Sequence, residues 1–126
     1  MTTGRALHRG LVVEDEWLLR MQMVDELHYA GWRTVEAATG EEALRHIADE
    51  EPIDFLITDI RLPGAVDGWQ VAEAFRARYP GRGVIYVSAN PLVHGRLVEG
   101  GAFLNKPCDI ETLLETCDKL CLGPAD

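Results

Sequence analysis

Short apolar runs alternate along this chain with stretches whose apolar residues fall at helical spacing, and that alternation limits the fold more than any other feature. Leu11-Val12-Val13 is a three-residue apolar run closed by Glu14, Asp15 and Glu16. Such a run reads as a buried strand. Trp17, Leu18, Met21, Val24 and Leu27 follow at steps of three and four, which predicts a helix with one apolar face, stopped at Gly31. The pattern then repeats. Strands are expected over Arg33 to Ala37, Ile53 to Thr58, Val84 to Val87 and Phe103 to Asn105. Helices are expected after Thr39, whose hydroxyl can cap the amide at position 42 while Glu42 reaches back, and after Asp67. A short helix is expected over Pro91 to Glu99, and a last one carries Ile110, Leu113, Leu114, Cys117 and Leu120 on one face. Three of the strands are continuous apolar runs, as when both faces of a sheet are covered. Right-handed crossovers then give an α/β fold, a (βα)5 doubly wound parallel five-stranded sheet of flavodoxin-like order 2-1-3-4-5.

Length and charge narrow the function. The 126 residues fit one domain, expected as an N-terminal arm over 1–9, a folded domain over 10–122 and a short tail over 123–126. Twelve basic residues against 21 acidic give −9, the wrong sign for a surface that meets phosphates, so DNA is not an expected partner. No apolar run approaches the ~20 residues of a membrane span, and a cytoplasmic setting is the default reading. Cys108, Cys117 and Cys121 lack the spacing of a disulfide framework and read as small apolar packers.

In an open parallel sheet, ligands bind at the carboxyl ends of the strands. Strand one ends in Glu14-Asp15, strand three in Asp59, strand four in Ser88 and strand five in Lys106. Any one of these is ordinary turn chemistry. Together they place three carboxylates, a hydroxyl and an ammonium at one rim. Clustered carboxylates need a cation to stay ionised. Lys106 supplies one, and a hard divalent ion such as Mg2+, or Mn2+ in its place, would supply more. A carboxylate so placed suits in-line phosphoryl transfer onto itself.

Glu14-Asp15-Glu16, Phe55 through Gly64, Asp67-Gly68, Val87-Ser88-Ala89 and Asn105-Lys106-Pro107, in this order, closely resemble the receiver domain of two-component response regulators. The resemblance covers roughly Gly10 to Leu122. It implies that Asp59 is the phosphoacceptor and that Glu14, Asp15, Asp59 and the main-chain carbonyl of Arg61 hold the metal, Glu14 partly through water. It implies that Ser88 is the switch hydroxyl, that Ala89 leaves room for the phosphoryl group, and that Lys106 pairs with that group. Phe103 takes the aromatic switch position, with a plain core aromatic as its other reading. Pro107 follows Lys106 through a cis peptide in the family, with a trans helix starter as its other reading. The resemblance also implies that the Arg61 side chain and Asn90 flank the reaction centre. Trp17 and Trp69 read as half-buried helix anchors, and Asp54 and Glu36 as solvated turn or edge residues.

The sequence departs from the family pattern twice. Two residues, Ala65 and Val66, separate Pro63-Gly64 from Asp67-Gly68 where the family usually has one. The 18 positions from Ser88 to Lys106 fall short of the family pattern by roughly one helical turn, so the fourth helix is expected to be shortened, frayed or a loop. The implied function is a stand-alone, phosphorelay receiver, not an enzyme. It is fed by a histidine kinase or phosphotransfer protein and acts on an unidentified downstream protein or as a phosphate sink, as a monomer or weak dimer. The alternative is a receiver-like binding module that works without phosphorylation. A phosphatase of the haloacid dehalogenase type would want a second aspartate where Arg61 stands.

Overall fold

The computed structural model describes residues 8–89 and 96–122. In chain order the elements are β1 (Arg9–Val13), α1 (Trp17–Tyr29), β2 (Arg33–Ala37), α2 (Gly40–Ala48), β3 (Phe55–Thr58), α3 (Gly68–Arg78), β4 (Gly83–Ser88), β5 (Ala102–Asn105) and α4 (Ile110–Leu122). The strands form one parallel sheet in the order β2-β1-β3-β4-β5, as the alternation of periods predicts.

Successive side chains of a strand point to opposite faces, and here each face has its own apolar cluster. Leu11, Val13, Leu56, Val84 and Tyr86 point to one side, where Ala43 and Ile47 of α2 and Val71, Ala72 and Phe75 of α3 cover them. Val12, Phe55, Ile57, Ile85 and Val87 point to the other, under Val24 and Leu27 of α1 and Leu113 and Cys117 of α4. Burying a side chain of this size contributes about 1.5–3 kcal/mol. The two-sided cover explains why these strands lack polar alternation.

Thr39 and Asp67 cap their helices as read from the sequence, although at Thr39 the described bonds include only the hydroxyl half of the expected box. The Thr39 hydroxyl accepts the Glu42 amide at 3.1 Å. The full reciprocal box forms at α3, where Asp67 accepts the Gln70 amide and Gln70 accepts the Asp67 amide, each at 2.9 Å.

Three expectations are corrected. Trp17 is 63% exposed, not half-buried, whereas Trp69 is buried. Trp17 is the first residue of α1, two turns, about 10 Å, before the buried Val24 on the same helix face. Asp54 is not a merely solvated residue: its Oδ2 accepts the Arg9 amide at 2.8 Å and its Oδ1 lies 3.8 Å from Arg82. It ties the starts of β1, β3 and β4 together, and β3 begins after it rather than at Ile53. Glu36, exposed on the edge strand as expected, also pairs with Arg20 Nε at 3.1 Å. Between β4 and β5, residues 96–101 contain no helix, so the helix expected over 91–99 is absent from its described part; the rest of it, and Asn90, lie outside the described residues. Of the cysteines, Cys117 is fully buried; Cys121 packs against the same cluster, its thiol pushed up to about 12 chiefly by burial.

Candidate functional site

Three site residues share one structural position: each is the first residue beyond its strand, and its amide carries the sheet ladder one step further. Glu14 N donates to Ala37 O at 3.1 Å, Asp59 N to Val13 O at 2.9 Å and Lys106 N to Ser88 O at 2.9 Å. Backbone pairing of this kind satisfies groups that would otherwise be orphaned at a strand end, and it fixes the roots of the three side chains at one rim.

The side chains meet there. Lys106 Nζ lies 2.6 Å from Glu14 Oε1 and 2.8 Å from Asp59 Oδ2. The second oxygens are held by backbone: Glu14 Oε2 accepts the Glu16 amide at 3.1 Å, and Asp59 Oδ1 accepts the Ile60 amide at 2.6 Å. The Glu14 side chain is 1% exposed and that of Asp59 11%. Burial raises the Glu14 carboxyl above its ordinary value, against the lowering effect of Lys106 and the Glu16 amide. Burial pulls the Lys106 ammonium down, but its bonds to Asp59 and Glu14 outweigh this and leave it raised.

Asp15 completes the acidic set from the exposed side. One carboxylate oxygen from each of Glu14, Asp15 and Asp59 falls within 4.8 Å of the others. These are hard oxygen donors, two recessed and one open to water, and they fit a Mg2+ ion that keeps several water ligands.

The remaining predicted residues are placed as follows. Ser88 ends β4 fully buried, in register with Asn105 and so beside the root of Lys106. Ala89 is exposed and, with Glu14, Met23, Val87, Lys106 and Pro107, lines a groove of about 460 Å3. The Lys106–Pro107 peptide is cis. Arg61 is exposed in the loop after β3. Phe103 lies on β5 across from Tyr86, half-buried against the cluster under α2 and α3. Thus Glu14, Asp15, Asp59 and Lys106 form one cluster, Ser88 and Ala89 border it, and Phe103 packs half-buried on the α3 side of β5.

Sequence reasoning missed three supporting residues. Arg20 donates to the Glu14 carbonyl at 2.8 Å, bracing the acidic turn from α1. Tyr86, a phenol inside an apolar strand, accepts the Val98 amide at 3.1 Å; a buried Tyr hydroxyl calls for such a partner. Glu41, in the first turn of α2, accepts the Ala65 amide at 3.2 Å. Nothing in local spacing marks Arg20 or Glu41, because both bonds depend on tertiary placement.

The family model described as the response regulator receiver domain matches residues 11–118. The chain belongs to this family. The receiver is 35% identical over 118 residues to the response regulator protein FleR of Pseudomonas aeruginosa, covering 90% of this chain and 24% of that protein. It is 34% identical over 111 residues to the transcriptional regulatory protein PrrA of Mycobacterium bovis, covering 85% of this chain and 47% of that one. The chain therefore spans less than half the length of these curated relatives. Among solved structures, a receiver protein from Sinorhizobium medicae superposes with a TM-score of 0.88 at 26% identity, covering 91% of this chain and 94% of its own. The receiver domain of the hybrid histidine kinase CckA gives 0.78 at 34% identity, covering 90% and 98%. Phosphorylation and Mg2+ binding at an acidic pocket are typical of the family. No helix among the described residues of this receiver is long and apolar enough to cross a membrane.

Proposed function

We propose that this receiver takes a phosphoryl group onto Asp59 from the phosphohistidine of a histidine kinase or phosphotransfer protein, and signals through altered binding to a downstream protein or by draining phosphate from a shared donor. The supporting observation is the Lys106 amine, 2.8 Å from Asp59 Oδ2 and 2.6 Å from Glu14 Oε1 at the rim that also carries Asp15.

In the transfer, an Asp59 carboxylate oxygen attacks phosphorus in line. An O–P bond forms, the N–P bond of the phosphohistidine breaks, and the departing imidazole keeps the electron pair and takes a proton. Lys106 turns its ammonium from the carboxylate to a phosphoryl oxygen, and the Ile60 amide holds the other Asp59 oxygen. Glu14, Asp15, Asp59 and the Arg61 carbonyl would hold Mg2+, which supplies positive charge to the equatorial phosphoryl oxygens. Ser88 then bonds the new group, Ala89 leaves space for it, and Phe103 moves toward the space Ser88 vacates, a shift between two packings of the β4–β5 region. The product is an acyl phosphate on the chain itself, so the domain acts as a covalent switch rather than a turnover enzyme.

Acetyl phosphate with Mg2+ should add one phosphoryl mass to the intact protein, and Asp59→Asn should take none. A wild type left unmodified by acetyl phosphate and by phosphorylated kinases would overturn the reading in favour of a binding module that works without phosphorylation.

A further inference from the structure

The loop that follows the acceptor, residues 59–68, is held differently at its roots and at its tip. Its roots are held by its own ends. Ile60 N donates to Asp59 Oδ1 at 2.6 Å, Gly68 N donates to Ile60 O at 2.7 Å, and the Asp67–Gln70 box seats the start of α3. Its tip rests on α2. Ala65 N donates to Glu41 Oε2 at 3.2 Å. Among the described residues, no other side chain from outside the loop bonds the backbone of residues 61–66.

The approach is close on both sides of that bond. Gly64 has φ +90°, and a Cβ there would stand 2.6 Å from Glu41 Oε2 and 3.0 Å from Oε1. On α2, a Cβ at Gly40 would overlap the carbonyl oxygen and side chain of Val66. Glycine on each partner lets the helix start and the loop tip touch. Glu41 sits in the first turn of α2, where a carboxylate ordinarily serves the helix dipole. Here the carboxylate is instead turned to the loop, with Oε1 buried and without a hydrogen-bond partner among the described residues. An orphaned buried oxygen is costly, which argues that the group is kept for what its other oxygen does.

We infer that Glu41 is a positioning residue for the acceptor loop: by taking the Ala65 amide it fixes the course of residues 61–66, and so sets where the Arg61 carbonyl is presented to Mg2+. This deepens the metal-dependent reading proposed above and rests on it. Glu41 touches neither the phosphoryl group nor the ion; it acts through the loop backbone.

The test is isothermal titration of the full chain with Mg2+ alone, for wild type, Glu41→Ala and Glu41→Gln, alongside amide hydrogen exchange at Ala65. Loss of one hydrogen bond predicts that Glu41→Ala binds Mg2+ roughly fivefold more weakly, with faster exchange at Ala65. Glu41→Gln removes the same charge but keeps an amide oxygen for Ala65, and should match wild type within about twofold in Mg2+ affinity by the same bond count. Equal weakening in both variants would assign the effect to charge and overturn the inference. So would unchanged Mg2+ affinity or unchanged Ala65 exchange in Glu41→Ala. A wild type that takes up no Mg2+ would instead remove the metal reading, and this inference with it.

Discussion

Lys106 holds two carboxylates at once, and that double contact sets what its loss should do. In Lys106→Met the nearly inaccessible Glu14 and the recessed Asp59 face each other without a cation. Breaking a fully buried ion pair costs about 3–5 kcal/mol; with Asp59 and Lys106 partly exposed, the loss should fall near the bottom of that range. Denaturant melts should show it, and Mg2+ should recover part of it by replacing the missing charge. The pH dependence has a definite sign. The Glu14 carboxyl is raised in the fold, so the folded state holds its proton more tightly than the unfolded chain does. Its contribution to stability is therefore full below its ordinary value of 4.5 and is lost as pH rises through the raised value. Glu14→Gln cannot lose a proton there, so its thermal midpoint should gain on wild type as pH rises through that window. A constant difference would contradict the burial argument. The raised Lys106 works in the alkaline range: its contribution is present below 10.5 and lost as pH climbs through the raised value.

Among the elements, α3 has the most explicit start. Asp67→Ala removes one arm of its capping box and should cost about 1 kcal/mol in a chemical melt. Because Asp67 adjoins Gly68, whose amide closes the acceptor loop, the same variant should also quicken hydrogen exchange at Gly68. The α3 start was legible from the sequence because Asp67, a capping residue, stands just before the apolar-periodic run; the Gln70 arm of the box shows only in the fold. Likewise β2 shows its whole extent in Arg33 to Ala37, and the buried strands declare themselves by apolar runs. Glu14, Asp15, Asp59 and Lys106 were legible because each closes or follows such a run. What failed to show was tertiary. Asp54 reads as a solvated residue until the Arg9 amide and Arg82 are brought beside it, and Trp17 has core spacing although it is exposed at the start of α1. Gly100 and Gly101 disfavour a helix in the described residues 96–101, where Val98 is tied to Tyr86 while Arg96 lies over Trp69.

At the scale of the whole molecule, the sheet gathers the strand ends at one rim and leaves the opposite end to other contacts. A groove of about 630 Å3 at that far end, bounded by Arg76, Arg82 and Gly100, takes no part in the site. Strand alternation also divides the apolar interior into two clusters with the backbone of the sheet between them. That division makes the sheet a partition, and partitions decouple. Val71→Ala beneath α3 and Leu113→Ala beneath α4 should each destabilise, and the double variant should equal their sum within about 0.5 kcal/mol, as for sites that share no partners. A larger coupling energy would mean that a void on one side is felt through the strands. Independence of this kind lets mutations accumulate under one pair of helices without disturbing the packing beneath the other.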